Sequence, residues 1–412
     1  MKIIGLLLFL IFSLQVHSKN SKINTGLWHL EFQLNETTIL PVSFLLEKKQ
    51  TNICLYIQNA DESIELKEII YKNDSLIITF PTFDSQLKAK IFAKDKIIGS
   101  WFNYTKGPNY SIPFTATSGQ NTRFSASPSA LSIFGKWEVT FDYDQVPEKA
   151  IGLFNPLHPA CCESANCKKN EIKGTFLTET GDYRYLEGNT SNDSLYLSTF
   201  DGSHAFLFRS KLVNDTLWGD FLSGTHYSAK WYAVRNENAK LTDPDSLTYL
   251  VNNKTIELSL PDLNNTIYTY PNIKTKVKVT LIQIMGTWCP NCLDESRYLK
   301  EQKDKYNDNL EILAVTFETQ ETLEEKIEKV TRYKENLALN YTFLIGGKAC
   351  KDCAGELFPM LNKISSFPTL IFIDKKGNIR RIHTGFNGPG TGIYYDKFVE
   401  KTNLFIEQLI RE

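Results

Sequence analysis

Through the first 235 residues, apolar and polar positions alternate in short runs broken by Asn, Asp, Gly and Ser. Period-two alternation puts neighbouring side chains on opposite faces of a strand, so the pattern predicts antiparallel strands and hairpins with one face buried. The pattern occurs twice. Gly26-Leu27-Trp28-His29-Leu30-Glu31-Phe32 has a counterpart in Gly135-Lys136-Trp137-Glu138-Val139-Thr140-Phe141. Asn73 to Phe80 aligns with Asn192 to Thr199, and Lys96 to Phe102 with Thr216 to Phe221. The expectation is two copies of one β unit, residues 19–125 and 130–236, each a small barrel or sandwich, packed side by side. One continuous larger barrel is the alternative. Strand aromatics are read as packed core, and no residue of these units is nominated for chemistry.

The pattern then changes. Asn236 to Asn253 is polar and contains Asp243-Pro244-Asp245, so residues 237–253 read as a linker. In residues 254–412, unbroken apolar runs alternate with helical periodicity. Val277 to Met285, Leu310 to Phe317 and Tyr341 to Ile345 predict buried strands. Leu293 to Tyr306 predicts one helix, and Leu323, Ile327, Val330 and Leu337 recur at helical spacing in a second. This βαβαβ order implies right-handed crossovers and parallel strands. A hairpin from Leu370–Ile373 through Lys375-Lys376-Gly377 to Ile379–Ile382 follows, and a helix from Asp396 to Ile410 covers the sheet. The predicted class is multidomain: two repeated antiparallel β units followed by an α/β domain.

Composition narrows the setting. With 46 basic and 47 acidic residues and no basic cluster, nucleic acid is not an expected partner. Met1-Lys2, the apolar run Ile3 to Leu14, and small residues at Val16 and Ser18 read as a secretory signal over residues 1–18. That run is short for a membrane span, and no cysteine follows it for a lipid anchor. Eight cysteines are consistent with an oxidising or redox-patrolled compartment. The expected location is the periplasm or cell envelope.

The chemistry centres on Met285-Gly286-Thr287-Trp288-Cys289-Pro290-Asn291-Cys292. A buried strand runs straight into a C-x-x-C pair and then a helix, so Cys289 stands where unpaired backbone N–H groups favour negative charge. Cys292 lies one turn on, able to close a disulfide with it, and Trp288 supplies an apolar shoulder. Half a zinc site or an inert disulfide has the same spacing, but no second pair stands at zinc-finger distance. Downstream, Phe367-Pro368-Thr369 enters a strand and fits a cis X-Pro bond that sets the Phe367 backbone beside the dithiol.

On Gly286-Thr287-Trp288-Cys289-x-x-Cys292, Phe367-Pro368-Thr369 and the lead-in Leu260-Pro261-Asp262-Leu263, residues 254–412 resemble the thioredoxin superfamily. Within it they are similar to the TlpA/ResA-like thiol-disulfide reductases of the bacterial cell envelope. The resemblance implies Cys289 as nucleophile, Cys292 as resolving thiol and Pro368 as cis-proline. It also implies that Glu295 matches a carboxylate kept beside the active site, whose bland reading is a solvated helix face. It implies no cofactor. Its implied partners are disulfide-containing envelope proteins as substrates and a membrane thiol-electron donor, and one family task is keeping apocytochrome c cysteines reduced. Two departures stand out. Pro-Asn lies between the cysteines where thioredoxin has Gly-Pro and ResA has Glu-Pro, and Gln283 replaces a buried aspartate of thioredoxin. The rival functions are a peroxiredoxin-like peroxidase, and a β ligand-binding or scaffold protein with a redox adaptor tail.

Three further features need placing. Cys350-Lys351-Asp352-Cys353 follows the third predicted strand, so it should share the sheet edge of Cys289, as a second dithiol or as a local disulfide. His158, Cys161, Cys162 and Cys167 form an insertion in the second β unit, readable as a disulfide staple or a weak soft-metal site. Gly385 to Gly392 lacks the Lys-Ser/Thr ending of a phosphate loop and reads as a connection bordering the site.

Overall fold

The computed structural model describes residues 23–49, 52–119, 122–125, 127, 129, 131–158, 170–252, 255–271 and 277–412. The signal assigned to residues 1–18, and Cys161, Cys162 and Cys167, lie outside the described residues.

Two separate antiparallel sheets form the amino-terminal part, not one larger barrel. In the first, Gly26–Gln33 pairs with both Ile39–Lys49 and Ser111–Ser118, and the meander ends at Glu62–Leu66 on one side and Glu68–Lys72 on the other. In the second, Glu148–Pro156 pairs with both Gly135–Phe141 and Glu171–Thr178, which closes the sheet into a barrel with the two-residue strand Gly181–Asp182 appended. The repeat survives in detail. Trp28 Nε1 donates to the Asn24 carbonyl (3.2 Å) and Trp137 Nε1 to the Ile133 carbonyl (2.7 Å), each four residues back. Both indoles are buried, so each N–H needs such a partner. Gly26 and Gly135 precede them at φ 106° and 107°, a region L side chains avoid.

Inside the first unit, the remaining space among Leu30, Phe44, Leu55 and Phe114 is about 20 Å³, one water's worth. That is a packed core and not a ligand chamber. The two units share a seam. Asn59 donates to the Phe200 carbonyl (2.9 Å) and accepts from its N–H (3.2 Å). The Phe200 ring enters the first unit against Phe32, Trp101 and Phe80, with centroids 4.7, 5.1 and 5.5 Å apart.

The carboxy-terminal domain is a five-stranded sheet in the order β3-β2-β1-β4-β5. Its strands are β1 (Val279–Met285), β2 (Leu310–Glu318), β3 (Thr342–Lys348), β4 (Thr369–Asp374) and β5 (Ile379–Thr384). Strands β1, β2 and β3 are parallel, while β4 runs antiparallel to both β1 and β5. Every residue of β1 is buried, as a strand covered on both faces requires. Helix α1 (Pro290–Tyr306) starts three residues before the predicted Leu293, because proline fits the first helical turn and Cys289 caps it. Helices α2 (Leu323–Asn336, opened by a Thr322/Glu325 capping box), α3 (Lys351–Leu357) and α4 (Ile393–Arg411) complete the domain. The polar stretch read as a linker is docked. Its helical turn Pro244–Leu247 places Asp245 against Arg381 Nε (2.9 Å), His383 Nδ1 (2.7 Å) and Lys401 Nζ (2.9 Å).

Candidate active site

Cys289 is the N-cap of α1, with extended backbone (φ −98°, ψ 116°). Its Sγ accepts the Cys292 N–H at 3.2 Å and lies 3.6 Å from the Phe367 carbonyl. Phe367–Pro368 is cis, which brings that carbonyl alongside. Both cysteines are free thiols; Cys289 is 7% exposed and Cys292 fully buried. A charge on Cys289 therefore meets a backbone N–H, whereas Cys292 has no access to water. Burial, followed by the hydrogen bond with Cys289, pushes the Cys292 thiol well above the ordinary thiol range.

The approach to the pair is held rigidly. Glu318, at the end of β2, accepts from both Thr287 N (3.0 Å) and Thr287 Oγ1 (2.6 Å). Trp288 Nε1 donates to the Phe317 carbonyl (2.9 Å), and its half-buried ring meets Phe367 edge-on at 5.6 Å. Glu295 is no solvated helix face: it is fully buried. One oxygen accepts from Gln283 Nε2 (2.9 Å), and Oε1 has no hydrogen-bond donor among the described residues. Burial pushes its pKa up to about 8, against the opposing pull of the Gln283 amide. Three residues after Cys292 on a helix, it shares a face with that thiol, and its charge is felt there.

The Redoxin family model matches residues 250–396. The carboxy-terminal domain is a Redoxin domain. The thioredoxin-like protein YneN of Bacillus subtilis (strain 168) is 31% identical over 111 residues, 27% of this chain and 58% of that protein. The chain thus spans little more than half of the curated relative it matches. Similar solved structures include a thiol:disulfide interchange protein of the thioredoxin family from Chlorobium tepidum TLS (15% identical, 37% of this chain and 97% of that one, TM-score 0.28). Another is the thioredoxin domain of a thiol-disulfide oxidoreductase from Bacteroides vulgatus (20% identical, 37% and 99%, TM-score 0.26).

Around the Redoxin domain the structure adds groups that no local motif announces. Arg184, buried in the second β unit, donates to Asp294 of α1 through Nε (2.9 Å) and a terminal nitrogen (3.0 Å). The same guanidinium reaches Glu62 of the first unit (2.6 Å) and Asp201 (3.1 Å). On the other flank, Lys329 of α2 is buried against Asp84 Oδ1 (2.8 Å) and the Thr82 carbonyl (3.1 Å) of the first unit. The loop at Gly385–Gly392 borders the site as read: Gly385 N donates to the Pro368 carbonyl (2.8 Å), and Asn291 Nδ2 to the Phe386 carbonyl (3.1 Å).

Cys350 and Cys353 are joined as a disulfide. Cys350 caps α3 with extended backbone, its Sγ accepting the Cys353 N–H (2.9 Å), the arrangement seen at Cys289. The Ala349 N–H donates to the Glu318 carbonyl (2.9 Å), so this pair does share the sheet edge of Cys289. It follows β3, two strands from β1, about 10 Å away at the usual strand spacing. His158 is exposed, 3.7 Å from Glu171.

Proposed function

We propose that this chain is an exported thiol-disulfide oxidoreductase that reduces protein disulfides in the periplasm or cell envelope. The observation that carries the reading is Cys289 at the head of α1, accepting a backbone N–H, beside the cis Phe367–Pro368 peptide and directly before buried Cys292. Cys289 attacks one sulfur of a substrate disulfide as the thiolate, and the other substrate sulfur leaves and takes a proton. Cys292 then loses its proton and attacks Cys289 Sγ, expelling the second substrate thiol. Two electrons pass to the substrate, and Cys289–Cys292 is left as a disulfide. The proton on Cys292 is the difficult one, since burial holds it there. Glu295, with one oxygen lacking a donor among the described residues and titrating near 8, is suited in its ionised form to receive it. A thiol-electron donor at the membrane, as the TlpA/ResA resemblance implies, restores the dithiol; keeping apocytochrome c cysteines reduced is one task such a cycle serves.

Expressing Cys292→Ser tests this. The variant should accumulate mixed disulfides at Cys289, and the wild type should reduce the disulfide of an unfolded peptide with a dithiol donor. Absence of both would sink the proposal.

A further inference from the structure

The mechanism makes no use of the turn Thr178–Arg184 of the second β unit, yet this turn stands on three loops beside Cys289. At the C-x-x-C loop, Gly181 lies against the Asn291 amide, which fills the space a Cβ would need, and its φ of 155° suits glycine. At the cis-proline loop, Ser366 Oγ donates to the Thr180 carbonyl (3.1 Å), one residue before Phe367. At the loop after β5, Gly385 packs against the same Thr180 carbonyl, and Asp182 Oδ2 accepts the Gly388 N–H (2.6 Å). The neighbouring turn adds Ser203 Oγ, 3.3 Å from the Trp288 carbonyl. Thr178 Oγ1 closes the turn on the Gly181 carbonyl (3.0 Å), and Arg184 anchors its far end in the buried carboxylate cluster. Thr180 at its tip is exposed while Cys289 beneath is nearly covered.

We infer that the Thr178–Arg184 turn determines specificity: it walls one side of the approach to Cys289, admitting disulfides of small molecules and slender, unfolded peptides and rejecting disulfides set in folded protein surfaces. The inference rests on the oxidoreductase reading. Attack requires the incoming disulfide to line up with Cys289 Sγ, and a thin ligand reaches that line past a wall. A folded surface must clear the ground around the sulfur, and footings on three loops, two of them hydrogen-bonded, remove that clearance on one side. Nothing in the step changes chemically: the same two electrons move, and only the shape of the acceptor is selected.

The full chain is assayed with a dithiol donor on two acceptors, oxidised glutathione and native insulin. In Gly181→Leu the new side chain meets the Asn291 amide and pushes the turn outward; in Asp182→Ala the tether to Gly388 is lost. Each should raise the ratio of kcat/KM for insulin over glutathione at least about tenfold relative to wild type. As a measurement independent of variant folding, Cys289 of the wild type should react far faster with N-ethylmaleimide than with a long polymer-linked maleimide, after normalising to an unstructured cysteine peptide. Equal normalised rates, or unchanged ratios in folded variants, overturn the wall. Loss of turnover on both acceptors already in the wild type overturns the oxidoreductase reading instead.

Discussion

Replacing Glu295 by Gln isolates one proton. The carboxyl moves from 4.5 in the unfolded chain to about 8 in the folded one, with burial as the cause. Between those values the unfolded chain has released the proton and the folded one holds it, so the folded state binds more protons and loses stability as pH rises. The contribution is fully present below 4.5, declines through the window, and is gone above about 8. Each tenfold difference in proton affinity is worth about 1.4 kcal/mol, so the whole window spans on the order of 4–5 kcal/mol. Glutamine has the same shape, still accepts from Gln283 Nε2, and does not titrate. Subtracting the variant's pH profile from the wild type's cancels every distant titrating group. Calorimetric unfolding of both chains between pH 5 and 8 should show wild-type stability falling relative to the variant by about 1.4 kcal/mol per pH unit. Parallel profiles would refute a buried carboxyl titrating near 8, and with it the ionised fraction proposed to take the Cys292 proton.

Arg184→Ala removes the one cation that Asp294, Glu62 and Asp201 share, leaving Asp294 only Arg297 (3.3 Å), which should cost about 3–5 kcal/mol in thermal unfolding; an unchanged midpoint would mean the cluster holds nothing. Replacing Cys350 and Cys353 together by Ser should leave disulfide-reductase turnover unchanged, because two strands separate the pairs and exchange needs touching sulfurs. The four-residue loop they close is worth about 2 kcal/mol of chain entropy, read as a modest drop in melting temperature, and a fall in turnover would show that the two pairs do communicate.

Local signals made much of this legible. The β1 run, the capping cysteine, the C-x-x-C spacing and Phe367-Pro368 each announce themselves within a few residues, and the Trp28/Trp137 repeat shows in the bare sequence. Closure of the second sheet does not show, because Glu148–Pro156 meets Glu171–Thr178 across an intervening segment and no local pattern states that partner. Helix α4 starts at Ile393, three residues before the expected Asp396, for a related reason: its cap, Gly392, offers no side-chain hydrogen bond to betray it. Glu295 was ambiguous because helical periodicity presumes one wet face. At the head of α1 there is none: Leu293, Asp294, Glu295 and Ser296 are buried in succession.

That all-round burial bears on what the β units are for. Gln283 of β1 covers one side of the α1 head, and Arg184 of the second unit covers another while also gripping Glu62 of the first. In a free-standing Redoxin domain Asp294 would be an ordinary solvated carboxylate in the second turn of a helix. Here it is 5% exposed and bidentate to an arginine 110 residues earlier. Taking two charges out of water costs several kcal/mol unless the geometry is well matched. A tail that merely trailed behind a β scaffold would have no reason to bury its charges at the seam. The units instead meet the Redoxin domain on both flanks of the dithiol's helix, through Arg184 at Asp294 of α1 and through Asp84 at Lys329 of α2. The β units are thus part of the wall around the dithiol, and the adaptor-tail reading has to explain why the seam runs through the active site.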